Sequence, residues 1–167
     1  MTTQLGPSGD TLLDELQWVH RMVRRDLQTC RDLAAAVTTG APTAEIRSQI
    51  HSLQTSGPLF QLRVSCLRYC HFVHAHHGAE DVMLFPAVRQ AAPELGPVVD
   101  RLESDHRRVS DLLDQVEASV RELDGADDRV AREGLAGALN QLAVDLLEHL
   151  QFEETALAPV LAGWTHW

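Results

Sequence analysis

The sequence predicts an all-α fold, an antiparallel up-down-up-down four-helix bundle with a short extra helix before the second long helix. Apolar residues recur every three to four positions through four long segments, a spacing typical of amphipathic helices. Glycine and proline interrupt the pattern between these segments, and no run of alternating β-branched residues indicates a strand. Long helices joined by short connections favour antiparallel neighbours in a bundle.

The first long helix is predicted from Thr11 to Val37. Its inward face carries Leu13, Leu16, His20, Val23 and Leu27. The sequence Thr39-Gly40-Ala41-Pro42 ends this helix, because glycine often terminates helices and proline cannot continue them. The short extra helix is predicted from Thr43 to Gln54.

The second long helix is predicted from Pro58 to about Leu84. Ser56 or Gly57 can cap its start, and proline suits the first turn of a helix because its missing N–H is not needed there. Pro86 is predicted to break the helix, with a short helical turn over residues 87–91 behind it.

The third long helix is predicted from Pro97 to Leu123, and the fourth from Asp128 to Thr155, with a turn at residues 124–127 between them. One face of the third helix carries Leu102, His106, Val109, Leu113 and Val116. One face of the fourth carries Leu142, Leu146, His149 and Glu153.

The chain of 167 residues is near the usual size of one domain. We expect a flexible N-terminal segment over residues 1–10, the bundle over residues 11–163 and a C-terminal tail over residues 164–167. The net charge is −10 and no helix carries a basic stripe, so we expect no nucleic-acid partner. No apolar run approaches the roughly 18 residues of a membrane span, and the first ten residues are polar. We therefore expect no membrane partner and a cytoplasmic monomer or homodimer, with its three cysteines reduced.

A short motif in the second helix recurs 73 positions later in the fourth helix. His76, Glu80, Asp81, Leu84 and Pro86 recur as His149, Glu153, Glu154, Leu157 and Pro159. In each half a histidine and a glutamate stand four residues apart, which places both side chains on one helix face. A buried carboxylate costs several kcal/mol unless it is paired or bound to a metal. The repeat therefore indicates two halves of a metal site, with a buried ion-pair network as the alternative.

The other two helices each place one histidine at the same level. At ~1.5 Å per residue, His20 lies about 27 Å from the end of its helix, and His76 about 27 Å from the start of the next. His106 and His149 lie about 27 Å and about 31 Å from the turn that joins their helices. Four imidazoles and two carboxylates able to bridge predict a pair of redox metal ions, and this donor mixture favours iron over calcium or magnesium. The predicted metal ligands are His20, His76, Glu80, His106, His149 and Glu153.

With these residues the sequence resembles the hemerythrin-like (HHE) family of non-haem diiron four-helix proteins. The resemblance covers nearly the whole chain after the first ten residues. It rests on His20, on the segment from His76 to Pro86, on His106 and on the segment from His149 to Glu154. It implies an oxo- or hydroxo-bridged centre of two iron ions that meets a small oxidant or gas, such as peroxide, dioxygen or nitric oxide.

The sequence departs from the oxygen-carrying hemerythrins in two places. Their third helix holds two histidines four residues apart, whereas Leu102 and Ser110 flank His106 at that spacing. Their fourth helix pairs histidine with an aspartate five residues on, whereas Glu153 follows His149 by four. Four histidines and two glutamates resemble instead the branch associated with iron–sulfur repair, nitric-oxide response and iron or oxygen sensing.

Neighbouring histidines leave alternatives open. His77 replaces His76 as a ligand if the register moves by one residue, although the repeat favours His76 because it matches His149. We expect His71 and His74 to be surface or packing residues.

Charged residues beside the predicted ligands are expected away from the metal. Asp81 and Glu154 are predicted at helix interfaces or in solvent. The Arg24-Arg25 and Arg107-Arg108 pairs are predicted on solvated helix faces, with the alternative that they line the entrance for an anionic small molecule.

Tyr69 lies seven residues before His76, on the same helix face two turns away. It is predicted to fill the core, with the alternative that its phenolate binds iron or its hydroxyl donates a hydrogen bond to an iron-bound species, which would make Tyr69 a catalytic residue. Cys66 and Cys70, with His74, repeat at four-residue spacing, so a separate thiolate site is an alternative to ordinary buried cysteines.

These observations predict a protein that binds or reacts with a small oxidant or gas, and the specific hypothesis is peroxide decomposition. The alternative is a non-catalytic sensor of iron, oxygen or nitric oxide, or an iron buffer. A purely structural bundle without metal is the third possibility.

Overall fold

The computed structural model describes residues 11–38, 58–123 and 129–165, and the side chains of the second range from residue 64 onward. Its elements are α1 (Leu12–Thr38), α2 (Pro58–Ala79), a π-helical turn (Glu80–Leu84), α3 (Phe85–Ala91), a 3-10 turn (Pro93–Leu95), α4 (Gly96–Glu122) and α5 (Arg129–Leu161). The predicted all-α fold is therefore confirmed. The predicted short helix over residues 43–54 and the N-terminal segment lie outside the described residues.

Four long helices, α1, α2, α4 and α5, form the antiparallel bundle. α1 packs against α2 and α5, and α4 packs against the same two helices. Each helix thus contacts its neighbours in chain order around a ring, as in an up-down-up-down bundle. Among the described helices, none is both long and apolar enough to span a membrane.

The predicted break at Pro86 is wrong, because α3 begins at Phe85 directly after the π-helical turn. Proline lacks an N–H, and inside a helix its ring crowds the carbonyl four residues earlier. In the π-helical turn the N–H of Phe85 bonds to the carbonyl of Glu80, five residues back. The wider turn precedes the proline, and we attribute the uninterrupted helix to it.

The fourth long helix also continues past a proline. α5 contains Pro159 and ends at Leu161, six residues beyond the predicted end at Thr155. Beyond it, the carbonyl of Trp164 accepts a 2.7 Å hydrogen bond from the N–H of Leu12, which fastens the end of α5 to the start of α1.

The core consists of two apolar clusters at different levels of the bundle. The lower cluster includes Val23, Leu27, Cys66, Val73, Val109, Leu113, Leu142 and Leu146. The upper cluster comprises Leu12, Leu16, Leu84, Phe85, Val88, Val99, Leu102, Leu157 and Leu161. On each long helix the buried residues between the two clusters are polar, so a polar layer crosses the bundle between them.

Replacing Leu113 by Ala should lower the free energy of unfolding by about 2–5 kcal/mol, because the side chain is fully buried in the lower cluster. Urea unfolding of the metal-free protein followed by circular dichroism measures the change. Val144→Ala is the control, because Val144 is exposed on α5, and should shift stability by less than about 0.5 kcal/mol. A loss below about 1 kcal/mol for Leu113→Ala would contradict the assignment of this core.

Candidate metal centre

The polar layer between the two clusters contains five histidines and two glutamates. They are His20, His76, His77, Glu80, His106, His149 and Glu153. The side chain of His76 is 12% exposed, and the other six are buried. All six predicted ligands thus come together, and His77 joins them.

One group of donors surrounds one oxygen of Glu80. The Nε2 atom of His76 lies 3.1 Å from Glu80 Oε1, and the Nε2 atom of His20 lies 4.0 Å from the same oxygen. These three side chains each offer a ligand atom within 4.8 Å of the others. They define the first position, the space between His20, His76 and Glu80.

A second group surrounds the other oxygen of Glu80. The Nε2 atom of His106 lies 3.3 Å from Glu80 Oε2 and 3.1 Å from Nε2 of His149. His77 also offers a ligand atom to this group, and its ring stacks on that of His106 with centroids 4.0 Å apart. These four residues define the second position.

The two glutamates link the two positions. Glu80 presents a different oxygen to each position. Glu153 Oε2 lies 3.4 Å from Nε2 of His20 at the first position and 3.7 Å from Nε2 of His149 at the second. Carboxylates placed between two donor groups are suited to bridge two adjacent metal ions.

The side chains present fit metal ions on two grounds. First, several buried polar atoms of the layer have no hydrogen-bond partner among the described residues, including Nε2 of His20, His76 and His77 and both oxygens of Glu80 and Glu153. Unsatisfied buried polar atoms are rare and each costs about 1–3 kcal/mol. Second, adjacent ligands on a metal with bonds of about 2.1 Å lie about 3 Å apart, close to the shortest separations measured here.

Burial and the neighbouring side chains together set the protonation of the layer in the absence of metal. Burial and the neighbouring His20 lower the pKa of His76 to about 4. Burial and His149 lower the pKa of His106 to about 3. Both imidazoles are therefore neutral at pH 7, the form that binds metal. Burial and the charge of Glu153 raise the pKa of Glu80 well above its usual value, so metal binding has to displace a proton there.

Three acidic residues lie behind the histidines, and we call Glu154, Asp81 and Asp105 the outer carboxylates. Glu154 Oε1 lies 2.8 Å from Nδ1 of His20, and Asp81 Oδ1 lies 2.8 Å from Nδ1 of His106. Asp105 Oδ2 is 3.7 Å from Nδ1 of His149. The two 2.8 Å contacts are hydrogen bonds, which fix the tautomer and the orientation of a metal-binding histidine.

The positions of the outer carboxylates bear on the predictions made for the charged residues beside the metal ligands. Asp81 and Glu154 do lie away from the candidate metal positions, as predicted, but each holds one of the histidines. The repeat carried this signal, because an acidic residue follows the glutamate in both halves. The prediction that Arg24 faces only solvent is wrong, because its Nη1 atom lies 2.8 Å from Glu154 Oε1.

Tyr69 and the cysteines lie outside the polar layer, in the lower cluster. The Tyr69 hydroxyl is buried without a hydrogen-bond partner among the described residues, and burial raises its pKa. Its role toward the metal stays a prediction. Burial raises the pKa of Cys70 to about 12, and its thiol donates to the carbonyl of Leu113. A protonated thiol does not favour the alternative thiolate site with Cys66.

The sequence matches the family described as the hemerythrin HHE cation binding domain over residues 11–161. The chain therefore belongs to this family of cation-binding four-helix proteins. Comparisons with curated proteins and with solved structures give no significant match.

Replacing Glu80 by Gln should stabilise the metal-free protein at pH 7 by about 1–3 kcal/mol, because burial raises the pKa of this carboxyl group and folding therefore costs the uptake of a proton, whereas the amide is neutral in both the folded and the unfolded state. The same change should abolish the extra stability that metal confers. Chemical unfolding with and without metal measures both effects. The control is Glu148→Gln, since Glu148 is exposed. A metal-free Glu80→Gln protein less stable than the parent would contradict this account of the layer.

Proposed function

We propose that this protein is a non-haem diiron protein that binds or reacts with a small oxidant or gas, namely peroxide, dioxygen or nitric oxide. The observation that carries the proposal is the sharing of Glu80, whose two oxygens face two different groups of imidazoles. A mixture of imidazole and carboxylate donors suits iron. The proposed ligands are His20, His76, Glu80, His106, His149 and Glu153, together with His77.

The reaction we propose is the decomposition of hydrogen peroxide. Two peroxide molecules give two waters and one dioxygen, since one peroxide is oxidised and the other is reduced. Two iron ions, when bound, supply the redox changes and the open coordination positions that this reaction needs. No further reductant enters the balance.

The side chains of the layer have separate tasks in this proposal. Glu80 and Glu153 hold the two positions together, and the imidazoles bind as neutral donors. The upper and lower clusters keep bulk water from the layer. His76, at the first position, is the most exposed of the proposed ligands, with 12% of its side chain accessible, which favours access there by molecules of a few atoms.

A non-catalytic sensor or iron buffer is the second candidate function. The observation that favours it is that α1, α2, α4 and α5 all contribute to the layer, so metal loading ties the whole bundle together. A ligand that binds only the native state raises its stability. In this candidate, loading or oxidation changes bundle stability and hence partner binding. Under either candidate we expect a cytoplasmic monomer or homodimer.

The test has two measurements on protein purified from cells grown with added iron. Elemental analysis gives the metal content per chain, and an oxygen electrode measures the oxygen released from added peroxide. We expect about two iron ions per chain, as in carboxylate-bridged diiron bundles, and many turnovers of peroxide. Glu80→Ala should lose both, because each position loses a donor. Glu148→Ala, at an exposed residue of α5, should keep both.

The possible outcomes separate the candidates. Two irons with stoichiometric peroxide consumption would favour the sensor or buffer over the enzyme. Metal at only a few per cent of the chain concentration, even after reconstitution, would contradict every metal-dependent function proposed here.

A further inference from the structure

Arg24 lies on α1 one turn after His20 and reaches an outer carboxylate rather than a candidate ligand. Its Nη1 atom is 2.8 Å from Glu154 Oε1, the same oxygen that lies 2.8 Å from Nδ1 of His20. The side chain of Glu154 is only 14% exposed. Two helices are thus joined by one carboxylate oxygen that accepts from both an imidazole and a guanidinium.

This contact determines which nitrogen of His20 faces the layer. A carboxylate accepts hydrogen bonds, so Nδ1 of His20 carries the hydrogen that it donates to Glu154. In the neutral ring, Nε2 then carries the lone pair, and Nε2 is the atom 3.4 Å from Glu153. Arg24 holds Glu154 by a charge-assisted hydrogen bond and so prevents the carboxylate from turning to solvent.

The second position is supported differently. Asp81, which accepts from Nδ1 of His106, is 42% exposed. Among the described residues, no arginine lies within 4 Å of Asp81. Asp105, behind His149, is paired with Arg108 at 3.0 Å and with Arg101 at 3.7 Å, but it lies 3.7 Å from the imidazole, too far for a hydrogen bond. The Arg24 contact therefore serves the first position alone.

We infer that Arg24 is a positioning residue for the first position. It holds Glu154 against His20, and this ion pair raises the affinity for the metal ion at the first position without changing the affinity at the second. This inference rests on the proposed two-metal function. It goes beyond that function because the two positions have different outer carboxylates and arginines behind them. Mutating Arg24 should therefore change the affinity for one ion and not for the other.

The experiment titrates metal-free protein with ferrous iron in the absence of oxygen and follows the heat of each binding step. Arg24→Met keeps the apolar part of the side chain and removes the charge. It should weaken one binding step about tenfold and leave the other unchanged, since loss of an outer partner typically costs 10–100-fold in affinity. Glu154→Gln should weaken the same step. The double variant should bind no more than about twofold more weakly than Glu154→Gln alone, because both changes remove one interaction.

Two further variants give the contrast. Arg25→Met is the matched control, because Arg25 is the next residue, is 71% exposed and pairs only with Asp26 among the described residues; both steps should match the parent. Asp81→Asn should weaken the other step. Arg24→Lys should restore part of the lost affinity, because the charge returns without the forked geometry of arginine.

The outcomes distinguish the inference from the function beneath it. A parent protein that takes up two ferrous ions, with an Arg24→Met variant that titrates identically, overturns the inference and leaves the diiron function intact. Equal weakening of both steps also overturns it. A parent protein that binds fewer than two ions overturns the proposed two-metal function itself. If Arg24→Met does not fold, Glu154→Gln tests the same position, and an unchanged titration there overturns the inference.

Discussion

The main constraint on this structure is the burial of Glu80 and Glu153 in one layer of an apolar bundle. Both glutamates are fully buried, and their oxygens have no hydrogen-bond partner among the described residues. Such a layer is unfavourable in a bundle stabilised by apolar burial. Cations bound in this layer would offset the cost by taking up the free lone pairs. Metal binding and folding are therefore coupled through the same atoms.

The apolar clusters and the π-helical turn make this arrangement possible. The upper and lower clusters pack the bundle on both sides of the layer, so the polar residues need not stabilise the fold. Glu80 and Asp81 open the π-helical turn. Although adjacent in sequence, Glu80 faces Nε2 of His106 while Asp81 contacts Nδ1 of the same ring. Local widening of a helix is frequent at functional sites.

The helical fold and much of the candidate site could be predicted from sequence because both follow simple periodicities. The repeat identified the pairs on α2 and α5, and a constant rise per residue placed His20 and His106 at their level. The same reasoning treated His76 and His77 as alternatives, since an ideal helix puts them about 100° apart. The structure brings both to the layer, one toward each position.

Contacts between side chains of different helices could not be predicted from the local spacing of residues in one sequence. The Arg24 contact joins α1 to α5 across 130 residues of sequence. Its spacing of four residues places Arg24 on the helix face of His20, but no local pattern pairs it with Glu154. Pro86 misled the prediction for a related reason, because the rule that proline ends a helix assumes α-helical hydrogen bonding. The π-helical turn changes that bonding one residue earlier.

The central claim is that the polar layer holds two metal ions that share Glu80. Anomalous X-ray scattering at the iron absorption edge, on crystals of iron-loaded protein, tests it most directly. The account predicts two peaks about 3.5–4 Å apart, as in other two-metal sites, one beside His20 and His76 and the other beside His106 and His149. A single peak, or peaks that do not flank Glu80, would contradict it.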